Sequence, residues 1–258
     1  MRFKFIPPFR LEDLPEDDNP EYADLQGTYL REIDKEGLLE GVEWELDPGL
    51  PGPHVDNLEE LAQVVPGVLK LVREAAEGGS YDAIIILGGL DPGLYPAREI
   101  ANVPVLGCTN SAIHFASLLG NKFSVIDALE CLAIRARQNI MLYGLNEKCA
   151  SVRSVEMPGK VRRLAAGNPS SEWIEVAVNE AVAAIEEDGA DVITFACTGL
   201  MWMQPYVQKR LNEIGYEVPV LHSHKCAIEL AKALVNMKIK QSKLAFPSTA
   251  PKKKAIPR

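Results

Sequence analysis

Cys197 closes a run of strand-forming residues, DVITFACTG (residues 191–199), and the chain carries a near-copy of that run in DAIIILGGL (residues 82–90). In both, an Asp leads five apolar or β-favouring residues into a turn of small residues. Cys197 opens the turn in one copy, and Gly88 holds that place in the other. A thiol at the carboxyl end of a buried strand, where the chain turns into a helix, meets free backbone N–H groups and a positive dipole end. These favour a thiolate and an anionic ligand beside it. The chemistry indicated is proton transfer by Cys197.

Four residues are candidates for a second acid or base. Asp91 follows Gly88 by three residues in LDPG, where a turn residue before Pro92 is the plainer role. Cys108 follows the segment VPVL at 103–106, and a free Cys there is more often core. His222 and His224 flank Ser223 after the second VPVL at 218–221. They could relay a proton or form a polar loop end. Gly88, Gly89, Thr109, Thr198 and Gly199 border the same turns and are expected to bind substrate. The two glycines suit a tight turn with positive φ, or close approach of a ligand to backbone N–H groups. No metal is expected, because no CxxC occurs and the histidine pair has no obvious third ligand. A phosphate loop is not indicated, since neither GxGxxG nor a Walker pattern is present.

The elements that must position these residues alternate. Strand-like runs lie at 2–6, 42–47, 82–87, 103–109, 122–127, 150–157, 191–199 and 218–221. Helical patterns fall between them, so the fold class is α/β with largely parallel sheets. Pro66 is expected to kink or split a helix running from Asn57 to Ala76. Asn110 is expected to cap a helix that stops at Gly120. Met201, Trp202 and Met203 suit either a core or an apolar pocket wall. The chain also repeats itself. VPVLGCTNSAIHFASLL (103–119) matches VPVLHSHKCAIELAKAL (218–234), and each VPVL lies downstream of one copy of the Asp-led strand. Two matched pairs in the same order indicate an internal duplication into two pseudo-symmetric α/β halves.

Composition narrows the function. The chain has 258 residues, 47% hydrophobic and 24% charged, with a formal net charge of −9. An acidic balance argues against nucleic acid and against an anionic membrane surface. No run of about 20 apolar residues marks a membrane span, and the short apolar start, MRFKFIPPF, does not suit a signal peptide. Five irregularly spaced cysteines suit free thiols in a reducing cytoplasm. The expected partner is a small anionic or carbonyl-containing substrate, and a homo-oligomer is compatible with the sequence.

LPGPHVDNLEELAQVVPGVLKLV (50–72), YDAIIILGGLDPGLYPAREIANVPVLGCTNSAIHFASLLGNKFSVID (81–127) and GADVITFACTG (189–199) together resemble the aspartate/glutamate/hydantoin racemase superfamily, most nearly its hydantoin-racemase branch. The similarity spans most of residues 50–235. It implies two pseudo-symmetric domains with the site between them and the last helix packed back on the first. The expected division is 1–109 plus 225–258 and 110–224. It also implies cofactor-independent chemistry by two cysteines, one from each half, on opposite faces of the substrate α-carbon. Cys197 matches the second cysteine, while Gly88 stands at the first. Pro7-Pro8-Phe9-Arg10 stands where relatives carry Asn-Pro-Asn-Thr. The expected function is therefore an amino-acid or hydantoin racemase-like isomerase using Cys197. The alternatives are an arylmalonate-decarboxylase-like lyase that protonates one face with a single thiol, and a non-catalytic binding member. The lyase analogy lacks the hydroxyl residues after the glycine, where Gly89 and Leu90 stand here.

Overall fold

A computed structural model describes residues 1–10, 25–159, 161, 165 and 170–248. The acidic stretch at 10–24, expected from its composition to be a surface loop or a partly helical excursion, lies beyond Arg10 outside the described residues, as does the basic, Pro-rich tail at 250–258, expected to fray. The first half runs β1 (Arg2–Ile6), α1 (Leu25–Lys35), β2 (Glu43–Leu46), α2 (Leu58–Gly78), β3 (Ala83–Ile86), α3 (Leu94–Ile100) and β4 (Val105–Gly107). Helix α4 (Cys108–Leu119) leads into β5 (Phe123–Asp127), α5 (Glu130–Leu142), β6 (Cys149–Ser154), α6 (Ser171–Glu186) and β7 (Val192–Phe195). A 3-10 turn at Thr198–Met203, α7 (Gln204–Glu213), β8 (Val220–Leu221) and α8 (Ser223–Asn236) complete the described chain.

The strands form two four-stranded sheets with the same internal order, β2-β1-β3-β4 and β6-β5-β7-β8. Every pairing is parallel. Burial on both faces explains the continuous apolar runs: every residue of β3 and β7 is buried. The paired Asp residues have matching structural work. Asp82 Oδ2 accepts from Arg2 N at 2.8 Å, and Asp191 accepts from Asn121 N and Lys122 N at 2.8 and 2.9 Å. Each carboxylate anchors the start of the neighbouring strand.

Two helices cross between the sheets. Ile113 and Ala116 of α4 pack with Phe123, Val125 and Val192 of the second sheet. Ala227, Ile228 and Ala231 of α8 pack with Phe3, Phe5 and Leu106 of the first. The chain then covers the edge strand β4, where the Gln241 side chain bonds both Val105 N and Val105 O.

Two local expectations need correction. Helix α2 continues through Pro66 without a break. Pro66 and Ala62, whose carbonyl loses its donor, both lie on the exposed face, where water can serve that carbonyl. Asn110 does not cap α4; the helix starts two residues earlier, and its free N–H groups are met by Asp91 from a distant turn. Among the described residues, no helix is long and apolar enough to cross a membrane.

Candidate active site

The carboxyl ends of β3 and β7 meet edge to edge. A Cβ placed on Gly89 would lie 2.8 Å from Ala196 O and 3.0 Å from Cys197 Cα, so only a glycine allows this approach. Two threonine hydroxyls tie the ends together. Thr198 Oγ1 donates to Leu87 O at 3.1 Å, and Thr109 Oγ1 donates to Ala196 O at 3.2 Å. Leu87 and Ala196 are equivalent positions in the duplicated strands, so each strand-end carbonyl receives a hydroxyl from outside its own sheet. A further chain supports Thr198: Gln26 Nε2 reaches Thr198 Oγ1 at 3.5 Å, and the Gln26 Oε1 atom is 2.8 Å from His224 Nε2.

A crevice lies over this junction, with about 610 Å³ of space in and above it when the open solvent at its mouth is included. The first half contributes Pro7, Pro8 and Phe9 after β1, His54 and Val55 after β2, and Gly89, Leu90 and Pro92 after β3. The second contributes Asp127 and Leu132 around the end of β5, and Cys197, Thr198 and Gly199 after β7. Cys197 is half-buried and immediately precedes the 3-10 turn. Its backbone leads into the free N–H groups of that turn, so an anion beside the sulfur meets a favourable field.

Opposite this thiol the duplication is broken. A Cβ on Gly88 would stand 2.6 Å from Pro92 Cδ and 2.7 Å from Pro92 Cγ. The pyrrolidine ring fills the place a second side chain would need. Neither Gly88 nor Gly89 adopts positive φ. The left-handed backbone falls on Leu90 (φ 62°) and Asp91 (φ 52°) instead. For a Leu that conformation costs on the order of 1–3 kcal/mol. It is held by burial and by Asn139 Nδ2, which donates to Leu90 O at 2.7 Å.

The fold agrees with comparisons against known proteins. Residues 47–231 match the Asp/Glu/Hydantoin racemase family. The chain belongs to that family. It is 31% identical over 183 residues to a hydantoin racemase of Rhizobium meliloti, covering 71% of this chain and 72% of that protein. A hydantoin racemase of Pseudomonas sp. (strain NS671) is 29% identical over 180 residues, covering 70% and 68%. The solved structure of an allantoin racemase from Pseudomonas fluorescens superposes with a TM-score of 0.82 at 26% identity, covering 98% of this chain and 99% of that one.

Within this racemase-family crevice, several residues singled out in the sequence do other work. Asp91 is buried and caps α4, accepting from Thr109 N at 3.0 Å, Asn110 N at 2.7 Å and Tyr143 Oη at 2.9 Å. Burial pushes its pKa up to about 6, against the three hydrogen bonds and the nearby Arg98 charge. Cys108 is a core thiol that donates to Ile86 O at 3.4 Å, and burial raises its pKa well above the usual thiol range. His224 is fully buried, and burial lowers its pKa to about 3; burial and the neighbouring His224 hold His222 well below the usual imidazole range. Both imidazoles are neutral at pH 7, and neither lines the cavity. Gly88 and Thr109 also sit behind the lining rather than in it, while Gly89, Thr198 and Gly199 are part of it. Met201, Trp202 and Met203 are buried core. The cavity's apolar surface comes from Phe9, Val55, Leu61, Leu90 and Leu132.

Two proton-carrying groups in the lining, Asp127 and His54, are absent from the candidates drawn from the sequence. Asp127 ends β5, so the strand-end rule that selects Cys197 also selects it. Its Oδ1 accepts from Ala128 N at 2.7 Å. His54 has no such signal, because it lies in the breaker-rich loop PGLPGPHVDN.

Proposed function

We propose that the chain is a cofactor-independent, racemase-like isomerase that moves a proton at a carbon α to a carbonyl or carboxylate, with Cys197 as acid/base. The observation that carries this reading is the position of Cys197: its thiol lines the crevice at the one point where the duplicated strand ends touch. The similarity to hydantoin and allantoin racemases supports a cyclic ureide as substrate, since both named compounds carry a C–H next to a ring carbonyl. The apolar lining from Phe9, Val55, Leu61, Leu90 and Leu132 favours a hydantoin with a hydrocarbon substituent. Gly89, Thr198 and Gly199 would face the ring's polar edge. The two halves of the catalytic unit would be 1–109 with 225–258, and 110–224.

Incubating each enantiomer of 5-benzylhydantoin in heavy water tests this. Deuterium should enter at the α-carbon faster than in an enzyme-free blank, with loss of optical rotation. A wild-type protein that matches the blank on both enantiomers contradicts the reading.

One observation favours a second reading. The Pro92 ring stands where a side chain on Gly88 would project, so the end of β3 supplies no thiol across from Cys197. One-face protonation after decarboxylation needs only one. Carbon dioxide release from an arylmalonate, giving one product enantiomer, would select that lyase over the racemase.

A further inference from the structure

Inverting a carbon in one binding pose requires an acid and a base on opposite faces, and Gly88 provides no side chain for the face across from Cys197. We propose that His54, oriented by Asp56, is the second proton carrier of the crevice. The proposal rests on the α-proton-transfer reading above.

Asp127 is the other lining group that could carry a proton, but it shares a wall with Cys197. Strands β5 and β7 are adjacent and in register, with Ile126 paired to Phe195. Asp127 therefore stands opposite Ala196, one residue before Cys197, and both leave the carboxyl edge of the same sheet. The facing wall comes from the first half. Among its described lining residues, His54 is the one titratable side chain; the others there are prolines, Gln26, Gly89 and apolar residues such as Phe9 and Leu90.

His54 is also built to hold one orientation. Its side chain is only 12% exposed, and Nδ1 lies 3.3 Å from Asp56 Oδ1. The ring packs edge-on to Phe9, with centroids 5.5 Å apart and planes at 68°. Asp56 is fixed in turn: its N–H donates to Glu60 Oε2 at 2.8 Å, and its carboxylate sits directly against Gly159, leaving no room for a Cβ there. A carboxylate within ion-pair distance of Nδ1 favours a proton on that nitrogen and leaves Nε2 for the reacting atom.

The step balances without a co-reactant. In one direction the Cys197 thiolate takes the α-proton, and the C–H electron pair moves into the adjacent carbonyl as an enolate. The His54 imidazolium then gives its Nε2 proton to the opposite face of the same carbon. The enzyme ends with a neutral imidazole and a thiol, the form that runs the reverse direction on the other enantiomer.

The test follows both enantiomers of 5-benzylhydantoin in heavy water, separating α-deuteration from inversion. His54→Gln should lower inversion at least ~100-fold. The enantiomer whose hydrogen faces Cys197 should still take up deuterium with its configuration kept, which also shows that the variant is folded. His54→Cys, which restores a proton carrier, should invert faster than His54→Gln. Asp56→Asn should lower inversion about tenfold, less than loss of the base itself. A His54→Gln variant that inverts at the wild-type rate overturns the proposal alone. A folded His54→Gln variant that deuterates neither enantiomer also overturns it, because Cys197 should still work its own face. A wild type that deuterates neither enantiomer overturns the α-proton reading itself.

Discussion

The ends of β3 and β7 are the same device used two ways. Each begins with an Asp that anchors a neighbouring strand, buries a four-residue apolar run, and presents a strand-end carbonyl to a threonine hydroxyl. After that carbonyl the two diverge. The β7 end carries a thiol and enters a 3-10 turn of buried apolar residues. The β3 end has two glycines, then left-handed Leu90 and Asp91, and sends the Asp91 carboxylate back to cap α4. In the second half the N–H of Ser223, which begins α8, faces the Met201 sulfur at 3.4 Å instead. The difference teaches that the two strand ends share a scaffold while only one carries a thiol. The glycines serve contact: Gly88 makes room for the Pro92 ring, and Gly89 lets the two backbones touch.

The largest effect should come from spoiling that touch. Gly89→Ala puts a methyl against backbone atoms of Ala196 and Cys197 that cannot swing away. A destabilisation of about 1–3 kcal/mol is expected from overpacking. Displacing the thiol from its substrate should also lower activity about 100-fold. Denaturant unfolding and α-deuteration rates check both, and a near-neutral result on each would mean the strand ends are not held as described.

Asp91→Asn should cost about 1–3 kcal/mol of stability, because one oxygen that accepts a helix N–H becomes a donor. Activity should fall less than for Gly89→Ala, since Asp91 lies outside the cavity. The pH dependence separates the two forces on this carboxyl. Its folded pKa of about 6 lies above the ordinary 3.8, with burial the largest cause. The folded state therefore holds the proton that the unfolded state has lost, and its contribution to stability falls as pH rises from about 4 to 6. The penalty of Asp91→Asn, from unfolding curves, should be larger at pH 4 than at pH 7. A penalty that grows with pH would mean that the hydrogen bonds from Thr109, Asn110 and Tyr143 outweigh burial.

Cys108→Ser should have the smallest effect on turnover, within about twofold, with a stability cost near 1 kcal/mol for a buried polar swap. A collapse of activity in a folded Cys108→Ser protein would instead make Cys108 a working thiol and break the assignment of chemistry to one strand end.

The fold was legible where periodicity and repetition carry it. Unbroken apolar runs mark the buried parallel strands, and the paired VPVL segments mark the repeat that the two sheets share. The strand-end rule led to Cys197, and applied to KFSVID it leads to Asp127 as well. What the sequence hides is contact between distant residues. Nothing local says that Asp91, rather than Asn110, serves the start of α4, or that Gly89 rather than Gly88 meets Cys197. His54 is the clearest case. It sits in an aperiodic loop after β2, and its place in the crevice comes from packing against Phe9 and Asp56. His222 and His224 illustrate the converse, since their strand-end position is as predicted but His224 is buried behind the wall and the half-buried His222 opens on a different pocket.

The central claim is that proton transfer belongs to the Cys197 end. The direct measurement is α-deuteration of each enantiomer of 5-benzylhydantoin by wild type and by Cys197→Ala, with folding checked by circular dichroism. The account predicts that the folded variant loses exchange by at least ~100-fold on the enantiomer whose hydrogen faces residue 197. A folded Cys197→Ala protein that exchanges both enantiomers at the wild-type rate would contradict it.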